Sequence, residues 1–256
     1  DGSVDYVYVD SRGVLWIMLL NGISTTNLNS TFTLLDSDMG LSTNVVNSVY
    51  RFKGTLYLSN NDGVAYLDED EKVIKNIPGT FGQGTNFLEF NDRLYVGTNG
   101  MGFVEITGKS FKYVRENINY DFRAGQIYQS KMDPKRVYVS HQQGIISFYY
   151  DDRINKFLEE SYTNEPTRSS ANMLEASDGS LFVESSLESQ VIRIYPKIID
   201  NKLSFPDSKF DYLDTSDGLP TSRIFFGQGD EEIVFWASDT KQNFAFNENE
   251  NRFEKK

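Results

Sequence analysis

Eight side chains stand where binding chemistry is easiest to build. Asn44, Asn86, Gln126, Asn172 and Arg223 fall just before or at the start of apolar stretches, and Arg123 and Arg168 lie in the segments preceding two of them. Amides both donate and accept hydrogen bonds, and a guanidinium forks onto a carboxylate, so this set suits sugar hydroxyls or acidic groups. The plainer reading is that they cap loops and meet solvent. His141, in Ser140-His141-Gln142-Gln143-Gly144, is the one histidine, and its loop placement offers either solvent or ligand contact.

The chain is poor in catalytic groups. It has no cysteine, which excludes disulfides, a thiol nucleophile and thiolate metal sites, and one histidine cannot build a histidine metal cluster. Asp and Glu total 37, so some carboxylates must lie within the ~5–10 Å of a glycosidase pair by chance alone. Most occur in runs such as Asp68-Glu69-Asp70-Glu71 and Asp230-Glu231-Glu232, which read as solvated turns. Asn60-Asn61-Asp62-Gly63 and Asp214-Thr215-Ser216-Asp217-Gly218 lack the EF-hand calcium spacing. The expectation is no catalytic residue, no metal and no cofactor.

The elements that position these residues are repeated. Val9 to Ile17 reads as strand, tight turn, strand, and Tyr50 to Leu58 is a weaker copy. Aromatic anchors at Trp16, Tyr57, Tyr95, Tyr138, Phe182 and Phe235 are 41, 38, 43, 44 and 53 residues apart. Short strands and Gly-containing turns at a period near forty are the signature of a β-propeller, one blade per repeat. The fold expected is therefore all-β: a propeller with six recognisable four-stranded blades, or part of a seven-bladed or larger ring. The repeats run over about 5–35, 45–77, 86–114, 126–159, 172–213 and 224–253, and the whole of 1–256 reads as one propeller domain. Apolar alternation recurs and a 3.6-residue period is absent. Repeat five is long, and its excess at Tyr195 to Asp207 predicts an added hairpin. The anchors are expected in the core between blades, Trp16 included. The amides and arginines then ring the mouth of a central channel, on the face that carries the connections between blades.

Composition bounds the partners. The 256 residues carry a formal net charge of -12, which repels phosphate backbones and anionic lipid, so nucleic acid is not an expected partner. No stretch approaches the ~18 apolar residues of a membrane span, so no membrane insertion is expected of this segment.

Two motifs point to a family. Asp10-x-x-Gly13-x-Leu15-Trp16-Ile17, followed by Asn21-Gly22-Ile23, resembles the two-component regulator propeller repeat. So do two connections: Gly40-Leu41-Ser42-Thr43-Asn44 after Phe32-Thr33-Leu34-Leu35-Asp36, and Gly218-Leu219-Pro220-Thr221-Ser222 after Phe210-Asp211-Tyr212-Leu213-Asp214. The resemblance covers the chain at repeat level, strongest in repeat one and at these connections. It implies a non-catalytic ligand-sensing or interaction propeller, the periplasmic or extracellular sensor region of a membrane-anchored bacterial receptor. In such receptors a histidine kinase or another output domain acts elsewhere, and homodimers form. An oligosaccharide, another small ligand or a partner protein would be the ligand. The competing readings are a glycan-active propeller hydrolase or lyase, and a pure dimerisation scaffold; fold alone does not choose among them.

Overall fold

The computed structural model describes residues 4–19, 22–27, 35–43, 45–115, 124–141, 144–165, 167, 172–187, 189–229, 233–238 and 242–256. Apart from two single turns of 3-10 helix, every regular element among them is a strand. Sheet one holds β1 (Val4–Val9), β2 (Val14–Leu19) and β3 (Gly22–Asn27). Sheet two holds β4 (Val46–Phe52), β5 (Thr55–Asn60), β6 (Gly63–Asp68) and β7 (Val73–Asn76). Sheet three holds β8 (Gln83–Phe90), β9 (Arg93–Asn99), β10 (Gly102–Thr107) and β11 (Ser110–Tyr113). Sheet four holds β12 (Ala124–Gln129), β13 (Arg136–His141), β14 (Gly144–Asp151) and β15 (Lys156–Thr163). Sheet five holds β16 (Met173–Glu175), β17 (Leu181–Glu184), β18 (Val191–Ile199) and β19 (Lys202–Leu213). Sheet six holds β20 (Ile224–Gln228), β21 (Ile233–Ala237), β22 (Asn243–Asn247) and β23 (Arg252–Lys255). All are antiparallel meanders in chain order, and they follow the six repeats. The part of repeat one that would supply a fourth strand, 28–34, lies outside the described residues.

Local turn chemistry explains the meanders. Lys53-Gly54, Asn91-Asp92 and Asp200-Asn201 all take positive φ at both positions, the two-residue geometry that matches strand twist. The last of these closes the expected extra hairpin, whose pairing runs out to Ile199 and Lys202.

By contacts the chain forms two compact units, 1–41 and 42–256. In the second, each apolar cluster lies between consecutive sheets. Tyr57 and Leu94 belong to the cluster of sheets two and three, and Tyr95 and Val137 to that of sheets three and four. Tyr138 and Leu181 belong to the cluster of sheets four and five, and Phe182 and Phe235 to that of sheets five and six. Four anchors thus face the following sheet, whereas Phe235 faces the preceding one. The residue of sheet six in the anchor position is therefore Trp236, which stacks on Phe225 with ring centroids 6.2 Å apart. Neighbouring strand residues point to opposite faces, and Phe235-Trp236 offers an aromatic to each, which misled the spacing by one residue.

Arg193 ties sheets five and six. Only 1% exposed, it donates to Ser180 Oγ at 2.9 Å, Asp178 Oδ2 at 2.9 Å and Glu248 at 2.7 and 2.9 Å. Phe182, Tyr195 and Phe246 surround its guanidinium at 4.9–5.0 Å from their centroids.

In the first unit Trp16 is half-buried, not a core residue as expected. Its strand neighbours Tyr8 and Thr25 are exposed, and its indole N–H reaches back to Asp10 Oδ2 at 3.3 Å. Asp10 also accepts from the Arg12 and Val14 backbone N–H groups, so the ring covers a capped turn.

Candidate functional site

In a four-stranded meander, the turn after the second strand and the connection to the next sheet emerge at the same end. Five of the eight sequence candidates are described there: Asn86, Gln126, His141, Asn172 and Arg223. Asn44, Arg123 and Arg168 lie outside the described residues.

The amides stitch first strands together. Asn86 Nδ2 donates to the Ile127 carbonyl at 2.7 Å and its Oδ1 accepts from the Ile127 N–H at 2.8 Å. Gln126 Oε1 accepts from the Met173 N–H at 3.1 Å. Asn172 Nδ2 donates to the Phe226 carbonyl. A fourth rung escaped the sequence reading: Asn47 Nδ2 donates to the Gly84 carbonyl at 2.9 Å. Asn47, Asn86 and Gln126 all sit at breaks in strand register, where a β-bulge re-aims a side chain along the sheet stack. A sequence signal existed. Asn47, Asn86, Gln126 and Asn172 stand 9 to 12 residues ahead of Tyr57, Tyr95, Tyr138 and Phe182.

The first strands approach closely at the same end. A Cβ on Gly97 would lie 2.5 Å from the Gly125 carbonyl oxygen and 2.5 Å from Thr85 Oγ1. Thr85 Oγ1 bonds both the Gly97 and Gly125 carbonyls, at 3.1 and 2.8 Å.

His141 ends β13 opposite Gly144, and Thr167 Oγ1 donates to its carbonyl at 2.7 Å. Burial, with a smaller push from the Arg115 charge, holds its imidazole pKa down at about 4, so the ring is neutral at pH 7. Arg223 is half-buried. Its Nε donates to Glu184 Oε1 at 2.7 Å, and its guanidinium lies 4.5 Å from the Phe225 centroid.

The buried carboxylates have structural partners. Glu160 accepts from Arg136 at 2.9 and 3.1 Å, Ser147 Oγ at 2.9 Å and the Leu203 N–H at 2.7 Å. Glu175 accepts from Ser130 Oγ at 2.8 Å and from the Lys131 and Met132 N–H groups. Glu184 pairs with Arg223. Among the described residues no group of three or more His, Cys, Asp or Glu is placed to hold a metal ion. No helix among them is long and apolar enough to cross a membrane.

The two connections that share a motif also share a geometry. Asp36 caps a 3-10 turn over Ser37–Met39 by accepting from the Asp38 N–H, and Asp214 caps Thr215–Asp217 by accepting from the Ser216 N–H. Each turn ends on a left-handed glycine, Gly40 at φ 90° and Gly218 at φ 96°. The next N–H, of Leu41 or Leu219, returns to the capping aspartate's carbonyl at 3.1 or 3.2 Å, and both leucines are buried.

Six successive antiparallel meanders, with apolar clusters between consecutive sheets of the second unit, define a β-propeller. No protein-family model matches the sequence, and no curated protein matches it. Solved structures do. One, assigned as the extracellular domain of the one-component system BT4673 of B. thetaiotaomicron, is 14% identical with a TM-score of 0.52 over 98% of this chain and 41% of its own. PorZ, a bacterial surface component of the type-IX secretion system of Porphyromonas gingivalis, is 13% identical with a TM-score of 0.54 over 92% of this chain and 37% of its own. At these identities the likeness is one of fold, and the chain spans about two fifths of those proteins.

Proposed function

We propose that this chain is a non-catalytic ligand-sensing or interaction propeller, the extracytoplasmic sensor region of a bacterial two-component-type receptor. The observation that carries the reading is the paired connection geometry. Asp36 to Leu41 and Asp214 to Leu219 build the same capped turn on the motif that resembles the two-component regulator propeller repeat. The similar fold of an extracellular domain of a one-component system supports it. In the full-length protein a kinase or other output domain would read the signal.

Ligand contact belongs to the end that carries the connections. There the amides Asn47, Asn86, Gln126 and Asn172 fix the first strands, and Arg223 and His141, with the sequence candidates Asn44, Arg123 and Arg168 outside the described residues, are assigned to the ligand. Arginines on an acidic protein suit a carboxylate-bearing ligand such as a uronic acid oligosaccharide. Calorimetry against acidic and neutral oligosaccharides, with chromatography of each mixture, tests the reading. It requires binding without cleavage. Turnover of any sugar would establish the hydrolase or lyase reading instead, and no binding across the panel would leave the scaffold reading.

A further inference from the structure

The outer strands of sheets three and four enclose a groove of 550 Å³. Its walls are the end of β11 with Val114 and Arg115 on one side, and Ile154 with the first half of β15 on the other. Its floor is aromatic, built on Phe157 and its edge contact with Tyr95 at 5.2 Å. Three apolar residues of its rim are open to solvent: Tyr113 is 45% exposed, Ile154 52% and Leu158 46%. The charge of the groove runs against that of the chain. Of its two carboxylates, Glu105 pairs with Arg93 at 3.3 Å and Glu159 with Arg115 at 2.9 Å. Lys112 and Lys156 line the groove too, and among the described residues neither makes an ion pair. Lys112 stands across the strand pair from Glu105, on the Tyr95 face. An apolar floor beneath surplus positive charge, on a protein of net charge -12, is complementary to an anionic amphiphile.

We propose that this groove docks an extended peptide segment of a partner protein, with an apolar side chain over the aromatic floor and an adjacent carboxylate toward Lys112 and Lys156. The groove lies between the outer strands, away from the amide rungs, and meets the connection end at Arg115; the proposal is independent of the sensing reading.

The probe is a fluorescein-labelled pool of hexapeptides, each with one Leu, Ile or Phe beside Asp or Glu, read by anisotropy on the whole 256-residue chain. A matched pool carrying Lys in place of the acid is the control. The acidic pool is expected to bind, the lysine pool at least tenfold more weakly, and binding should fall as salt rises. Lys112→Glu and Ile154→Asp, both on the surface, should each weaken binding about tenfold and leave circular dichroism and oligosaccharide binding unchanged. No binding of the acidic pool, equal binding of both pools, or indifference to both variants would overturn the proposal. So would displacement of bound peptide by polygalacturonate, which would make the groove a glycan site. Self-association of the chain that both variants abolish would name a second copy as the occupant, and would overturn it as well.

Discussion

Asn86 makes both of its bonds to one residue, and so holds the N–H and the carbonyl of Ile127 at once. Asn86→Ala would leave both backbone groups without their partner, at a cost of about 2–4 kcal/mol, measured by urea unfolding. Asn86→Asp keeps an acceptor for the Ile127 N–H but faces its carbonyl with charge, and should not rescue. His141 gives a separate, pH-resolved signal. Its folded pKa of about 4 lies below the ordinary 6.5, so the unfolded chain takes up the proton first. Its contribution is complete above about pH 6.5 and is lost as pH falls toward 4. His141→Gln should flatten stability against pH in that window only. Asp10 and Asp151, held at about 2 by bonds to Val14 and Arg153, act at lower pH. Residue types at this end were legible in the sequence, but their partners were not. An amide suited to a sugar and one suited to a neighbouring backbone look alike until the bulge that aims it is known.

At the scale of elements, the sheets hold one another through close approach and through buried charge. Gly97→Ala would push a methyl into the Gly125 carbonyl, and should cost about 1–3 kcal/mol in the same unfolding measurement. Arg193 yields a comparison of two losses. Asp178 and Glu248 are 49% and 60% exposed, so Arg193→Met returns two carboxylates to water and leaves a methionine among aromatic rings. The double change Asp178→Asn with Glu248→Gln strands a buried guanidinium, and should be the worse of the two, by up to about 3–5 kcal/mol. Equal losses would show that the ions contribute little. The strands, the two-residue turns and the added hairpin of sheet five could be read directly, because alternation and turn residues are local signals. Trp236 could not. Phe235 and Trp236 are both aromatic, and only packing reveals which of them faces sheet five. Trp16 likewise carries the strongest motif in the chain and yet is half-buried beside Asp10.

At the scale of the whole molecule, the two ends of the sheets divide the labour. The strand 1–2 and 3–4 turns hold ion pairs such as Lys53 with Asp92 at 2.7 Å and Lys75 with Asp68 at 3.1 Å. The other end of the sheets in the second unit holds the capped Asp214–Leu219 connection, the amide rungs and the neutral histidine, and is the end assigned to ligand. Hydrogen–deuterium exchange of the whole chain, with and without a bound acidic oligosaccharide, tests that assignment most directly. Slowed exchange is expected in peptides covering 115–126, 163–173 and 219–224. Protection confined to the opposite turns, at 91–93, 130–135, 152–155 and 200–201, would contradict it.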